Sequence, residues 1–102
     1  MNSILRKCNH ILREYYGDKF EGLVLYGSMA RAEGNNFSDI DLLVLLNKPF
    51  NYFQELRNIV ELLYPIQLES EVLISAKPAA KDEFESGSIL LYRLARREGL
   101  AV

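Results

Sequence analysis

The chain has 102 residues, of which 49% are hydrophobic and 25% charged, a balance typical of a single globular domain covering residues 1–102. It has one cysteine and one histidine, so an internal disulfide and a tetrahedral zinc site built from Cys and His are excluded. A net charge of −2 argues against a general nucleic-acid-binding surface. The longest uncharged apolar run, Leu42 to Leu46, is far too short to span a membrane. The single cysteine, Cys8, fits a reducing compartment, and we expect a cytoplasmic protein.

The first predicted elements are an amphipathic helix and two strands. Leu5, Cys8 and Leu12 recur at helical spacing, which predicts a helix over residues 3–16. A short apolar run predicts a strand over residues 21–26, and a longer one predicts a second strand over residues 38–46. Only about ten residues join these strands, too few for a parallel crossover, so we expect them to be antiparallel.

The second half of the chain predicts a helix, a third strand and a closing helix. The helix runs from about residue 49 to 64 with Phe53, Leu56, Val60 and Leu63 on its apolar face, and Pro65 ends it. Alternation predicts the third strand over residues 66–75, followed by a polar turn region over 76–88 and a helix over 88–98. A strand, helix and strand in succession form a parallel crossover unit. The predicted fold class is therefore α/β (α+β), a mixed β-sheet with flanking helices.

Two aspartates interrupt the most apolar strand of the chain. Asp39 and Asp41 alternate onto one face, roughly 7 Å apart along the strand. At an effective dielectric constant of about 20 their charges repel by roughly 2 kcal/mol, and a divalent cation between them would reverse the sign. Mg²⁺ commonly uses one or two carboxylates together with substrate phosphates. The simpler alternative is that both carboxylates are solvated at the start of the strand.

A Gly-Ser pair ends the first strand. If a helix begins there, the backbone N–H groups after Gly27 and the hydroxyl of Ser28 could face a phosphate, and the guanidinium of Arg31 could pair with its oxygens. The alternative is a plain strand-to-helix turn with a serine cap. Together with the aspartates, this pattern provides the groups needed for metal-assisted transfer of a nucleotidyl or phosphoryl group.

These motifs resemble the signature of a known family. The runs L-Y-G-S-M-A-R at 25–31 and S-D-I-D-L-L-V at 38–44, with ten residues between Gly-Ser and Asp-x-Asp, resemble the minimal nucleotidyltransferases of the polymerase-beta-like nucleotidyltransferase superfamily. The resemblance implies a palm-like mixed sheet, with Asp39 and Asp41 holding Mg²⁺ and Gly27 and Ser28 binding the triphosphate of ATP or another NTP. It also implies attack by an acceptor hydroxyl on the α-phosphorus, with pyrophosphate leaving.

The same resemblance implies a partner. Minimal members are commonly encoded beside a HEPN-domain protein as a toxin–antitoxin pair, in which the nucleotidyltransferase is the antitoxin and adds AMP to its partner. The resemblance also implies a third carboxylate on the third strand, for which Glu69 and Glu71 are the candidates; both could instead be solvent-facing strand positions. In this interpretation, the molecule that accepts the nucleotide would be selected by the surface of a partner or by a homo- or hetero-oligomer.

Two other functions compete with this interpretation. A non-catalytic module could keep the fold, bind nucleotide or partner, and neutralise a toxin by contact alone; the ambiguity at Glu69 and Glu71 supports this alternative. A transferase acting on a small molecule of the aminoglycoside type is the third possibility. It ranks last because no acidic acceptor-binding region remains after the fold is accounted for.

Overall fold

The computed structural model describes residues 2–27, 30 and 39–102. Its elements are α1 (Asn2–Tyr16), a 3-10 turn (Gly17–Lys19), β1 (Phe20–Tyr26), β2 (Ile40–Leu46), α2 (Tyr52–Glu69), β3 (Ile74–Ala80), α3 (Lys81–Ser86), α4 (Leu90–Glu98) and β4 (Leu100–Ala101). None of the helices in this described part is long and apolar enough to cross a membrane.

The strands form one mixed sheet in the order β3-β2-β1-β4. β1 pairs antiparallel with β2 and with β4, whereas β2 and β3 are parallel and α2 connects them. The predicted mixed sheet and both predicted strand relationships are confirmed. β4 was not predicted, because a two-residue strand is too short to produce an alternation that the sequence could reveal.

Helices α1 and α2 cover one face of the sheet, called here the covered face. Leu5, Cys8 and Leu12 of α1 are buried there, as their helical spacing predicts. Every second residue of β2, from Ile40 to Leu46, enters the same core because side chains alternate along a strand. This face therefore holds the larger of the two hydrophobic clusters.

The opposite face, called here the open face, is covered by α3 and α4 over part of its area. Leu43 and Leu45 of β2 pack there with Ala79 of β3, Phe84 of α3 and Tyr92 of α4. Asp41 precedes Leu43 by two residues and so shares this face. The strand thus places its aspartate on the face that has no α1 or α2 above it.

The end of α2 and the start of β3 differ from the prediction. α2 continues through Pro65 to Glu69, and β3 begins at Ile74. Proline removes one helical hydrogen bond, whose acceptor would be the carbonyl of Glu61; both residues are exposed, so water can replace the lost bond. Ile66, on the inner side of the same turn, is buried in the core and favours continuation of the helix.

The predicted apolar face of α2 is only partly correct. Its buried residues are Ile59, Leu63 and Ile66, whereas Phe53 and Val60 are exposed. Apolar residues occur on more than one side of this helix, and the periodicity alone does not select the side that meets the sheet.

Candidate active site

The two aspartates lie where β2 begins. Asp39 is exposed and directly precedes the strand, and Asp41 is its second residue and half-buried. The amide of Ile40, between them, donates to the carbonyl of Leu73 at 2.9 Å, which fixes the start of β2 against the chain entering β3. The carboxylate positions are therefore set by strand pairing.

The electrostatics of Asp41 agree with a closely spaced carboxylate pair. Burial raises the pKa of Asp41, and the negative charge of Asp39 raises it further, while the cation of Lys77 acts in the opposite direction. Ionisation of Asp41 is therefore less favourable than that of a free carboxyl, and a bound cation would favour it. Two hard oxygen ligands, one of them partly removed from water, suit Mg²⁺. The donor chemistry thus fits the metal that the sequence predicts.

Gly27 brings the backbone directly against Asp41. Its φ is +78°, a conformation that glycine adopts readily, and its carbonyl accepts from the amide of Ala30 at 3.1 Å, which forms a turn. A Cβ placed on Gly27 would lie 2.5 Å from Oδ2 of Asp41. No other residue fits here without movement, so the turn and the carboxylate form one site. The sequence analysis predicts that the Gly-Ser turn lies beside the aspartates. For Gly27, the described residue of that pair, the structure shows this proximity.

Two predicted phosphate-binding residues, Ser28 and Arg31, lie outside the described residues. Their assignments remain predictions. The described flanks of this segment, Gly27 on one side and Asp39 on the other, both belong to the site at the same edge of the sheet.

The assignment of Glu69 and Glu71 to the third strand is wrong. Glu69 is the last residue of α2, and its carboxylate forms a 2.9 Å ion pair with Lys7 of α1. Glu71 lies in the connection between α2 and β3 and is exposed. The cause is the continuation of α2 through Pro65, which moves the strand eight residues along the chain. Neither glutamate therefore lies on β3, and a catalytic role for Glu69 or Glu71 stays a prediction that strand placement does not support.

The positions on β3 nearest Asp41 carry other side chains. Ser75 is the register partner of Asp41, and Lys77, two residues later on the same face, is the partner of Leu43. Within residues 2–27, 30 and 39–102, no three His, Cys, Asp or Glu side chains are grouped so that they could hold one metal ion. In the described chain the predicted carboxylate triad is thus reduced to the Asp39–Asp41 pair, with a lysine beside it.

Tyr26 borders the site from β1 and was not identified from the sequence. It is the register partner of Asp41, and burial together with the charge of Asp41 raises its pKa to about 12. A cavity of about 170 Å³ adjoins it and Gly27 under α4. Its position directly before the Gly-Ser pair is the signal that could have marked it.

The comparisons with known proteins agree with this architecture. The family model for polymerase beta nucleotidyltransferases matches residues 6–96. Among solved structures, the chain is similar to one in the crystal structure of a mutant of the toxin-antitoxin MntA-HpeT, with 19% sequence identity and a TM-score of 0.60. The similarity covers 99% of this chain and 69% of that chain, and it shows a shared fold. No curated protein matches the sequence.

Proposed function

Because this chain belongs to the polymerase beta nucleotidyltransferase family, we propose that it transfers AMP from ATP to a hydroxyl group of a partner protein. The observation that carries the proposal is the contact geometry of Gly27 and Asp41, which joins a backbone turn to the Asp39–Asp41 pair. A turn for phosphate beside carboxylates for a metal is the arrangement that nucleotidyl transfer requires.

Each residue of the site has a role in this reaction. Asp39 and Asp41 would hold Mg²⁺, which when bound polarises the α-phosphate and neutralises charge on the leaving group. Gly27, having no side chain, lets the phosphates approach the backbone, and Ser28 and Arg31 would contact the same phosphates. The acceptor oxygen bonds to the α-phosphorus as the bond to the bridging oxygen breaks. Pyrophosphate leaves, and the hydroxyl proton passes to solvent.

The partner in this proposal is a HEPN-domain toxin, with the present chain as its antitoxin in the cytoplasm. Support comes from the motif resemblance and from the shared fold with a structure of the toxin-antitoxin MntA-HpeT. Modification of the toxin would then be the means of neutralisation.

Transfer of label tests the reaction. The purified chain, Mg²⁺, α-labelled ATP and the protein encoded by the adjacent gene are incubated together, and label on that protein is measured. We expect transfer by the native chain and loss of at least about 10³-fold in the variant carrying Asp39→Asn and Asp41→Asn. Glu14→Gln on the distant, solvent-facing side of α1 is the control and should transfer normally. Equal transfer by the double variant would refute the proposal.

A second candidate function is neutralisation by contact, without catalysis. The specific observation in its favour is that Ser75 and Lys77 occupy the β3 positions nearest Asp41, so that no carboxylate faces the aspartate pair from this strand. Such a module would bind its partner, with or without nucleotide, through the folded surface alone.

Growth of cells that express the partner separates the two functions. If modification is the mechanism, the Asp39→Asn and Asp41→Asn variant fails to restore growth although it folds. If contact is the mechanism, the same variant restores growth as well as the native chain does. Soluble yield and circular dichroism of the variant establish that the fold is retained in either case.

A further inference from the structure

We propose that Lys77 binds a non-bridging oxygen of the α-phosphate of the nucleotide held at the Asp39–Asp41 site. This inference rests on the proposed function and adds to it a substrate-binding residue on β3, a strand to which the sequence had assigned a carboxylate.

The first step is the position of Lys77 on the open face. Side chains alternate along β3, and Ala79 packs with Leu43 on the open face, whereas Ala76 belongs to the core of the covered face. Lys77 therefore shares the face of Ala79, and its backbone is paired with Leu43, two residues beyond Asp41. A lysine side chain is long enough to extend from there toward the aspartates.

The second step is the charge environment of Lys77. Three of the four other lysines of the described chain are engaged by carboxylates, namely Lys7 by Glu69, Lys48 by Glu83 and Lys81 by Glu21, whereas Lys19 forms no such pair with the described residues. No such ion pair involves Lys77 within the described ranges, although its charge acts on Asp41. When a divalent cation neutralises the aspartates, Lys77 loses its favourable electrostatic partner. An anionic oxygen beside the metal would replace it.

The third step is the order of groups across the sheet. Asp41 lies between Tyr26 of β1 and Ser75 of β3, and Gly27 follows Tyr26. In the proposed reaction the Gly27 turn holds the leaving phosphates on the β1 side. The α-phosphate lies at the aspartates, so a cation on the β3 side contacts that phosphate and the charge that develops on it during transfer.

Binding measurements test the assignment without turnover. The affinity of the full chain for α,β-methylene-ATP with Mg²⁺ is measured by calorimetry for the native protein and for Lys77→Met, Lys77→Arg and Lys7→Met. Methionine keeps most of the aliphatic stem without the charge. Lys7→Met makes the same change in net charge on a residue of α1, the helix over the covered face.

We expect Lys77→Met to weaken nucleotide binding by at least about tenfold, since a hydrogen bond between charged groups is lost. Lys7→Met should stay within about twofold of the native protein. Lys77→Arg keeps the positive charge and should bind the nucleotide more tightly than Lys77→Met does. Binding of Mn²⁺ alone should change in the opposite direction: Lys77→Met should tighten it by roughly threefold or more, because a neighbouring cation is removed.

Each outcome decides between the possibilities. Equal nucleotide affinity of Lys77→Met and Lys7→Met overturns the role of Lys77, and the proposed function survives if the Asp39→Asn and Asp41→Asn variant loses the Mg²⁺-dependent binding. Absence of nucleotide binding by the native protein overturns both. Weaker binding of nucleotide and of Mn²⁺ together in Lys77→Met indicates a merely structural role and also overturns the inference.

Discussion

The two faces of the sheet receive side chains from the same strands, yet they differ in what covers them. On the covered face, Leu42 and Val44 of β2 are fully buried beneath α1 and α2. On the open face, Leu43 and Leu45 pack against α3 and α4, but Asp41 at the start of the strand remains half-buried. Because side chains alternate along β2, one face of the strand contributes to the hydrophobic core and the other face carries the aspartate of the candidate site.

This difference has an energetic basis. Apolar burial on the covered face stabilises the fold by about 25 cal/mol per Å². The carboxylate of Asp41 is partly desolvated and lies near Asp39, so its ionisation is less favourable in the folded chain than in a free carboxyl. The open face therefore carries a local cost that a bound metal would offset. Substitutions on the two faces are expected to have separable effects.

The largest expected effect on stability is on the covered face. Leu12 of α1 is fully buried, and Leu12→Ala should lower the free energy of unfolding by about 3–5 kcal/mol through lost burial and a cavity. Urea denaturation measures the change. Asp41→Asn serves as the comparison on the open face and should leave stability unchanged or slightly higher at pH 7. A large loss of stability in Asp41→Asn would break the separation between the faces.

On the open face, Gly27→Ala should reduce transfer by at least about hundredfold, a barrier change of about 3 kcal/mol. The added Cβ would lie 2.5 Å from Oδ2 of Asp41, and the positive φ would be strained. Steady-state transfer rates measure the effect. Gly17→Ala is the matched control: it also has a positive φ, but its Cβ meets nothing within 4 Å. Similar rates for the two variants would contradict the contact between the turn and the carboxylate.

The next effect is a loss of stability at alkaline pH. Burial raises the pKa of the Cys8 thiol to about 11, above its ordinary value near 9. Because the folded state favours the neutral thiol, this contribution is complete below pH 9 and is lost as the pH rises through 11. The rise in the pKa of Cys8 from 9.0 to about 11 corresponds to at most about 3 kcal/mol.

Unfolding free energies between pH 8 and pH 11 measure this loss. Raised pKa values of Tyr26 and Tyr92 add to the decline in the same direction. Cys8→Ala removes only the thiol contribution, so the decline should become shallower in that variant. An identical pH dependence in both proteins would contradict the burial of an ionisable thiol on the covered face.

The smallest expected effect is at Glu69. Its carboxylate pairs with Lys7 while both side chains are about half exposed, and an exposed ion pair contributes about 0.5 kcal/mol or less. Glu69→Gln should therefore change unfolding by no more than this amount and leave transfer unchanged. A severe loss of transfer in this variant, measured beside Asp41→Asn, would show that Glu69 takes part in the reaction and would contradict its expected small effect.

The features that the sequence predicted correctly are those encoded within a short stretch of the chain. The helix α1 has a clear apolar period, and β1 and β2 are apolar runs. The two aspartates lie two residues apart at the start of β2, so their spacing along the chain was enough to bring them together. The contact of Gly27 with Asp41 followed from the antiparallel pairing of β1 and β2, which a connection of about ten residues predicts.

The third strand could not be located from the same kind of pattern. Its sequence, I-S-A-K-P-A-A, has small residues, a lysine and a proline, which an edge strand tolerates but which give no apolar alternation. The preceding segment alternates better, and Pro65 suggested that the helix had ended. Tertiary burial of Ile66 decided against that interpretation and moved Glu69 and Glu71 off the strand.

The most direct test of the central claim is the intact mass of the protein encoded by the adjacent gene after co-expression with this chain. If Asp39, Asp41 and the Gly27 turn form a nucleotidyltransferase site, the partner gains the mass of one or more AMP groups, and co-expression with the Asp39→Asn and Asp41→Asn variant leaves it unmodified. An unmodified partner whose toxicity the native chain nevertheless abolishes, or equal modification by the variant, would contradict the account.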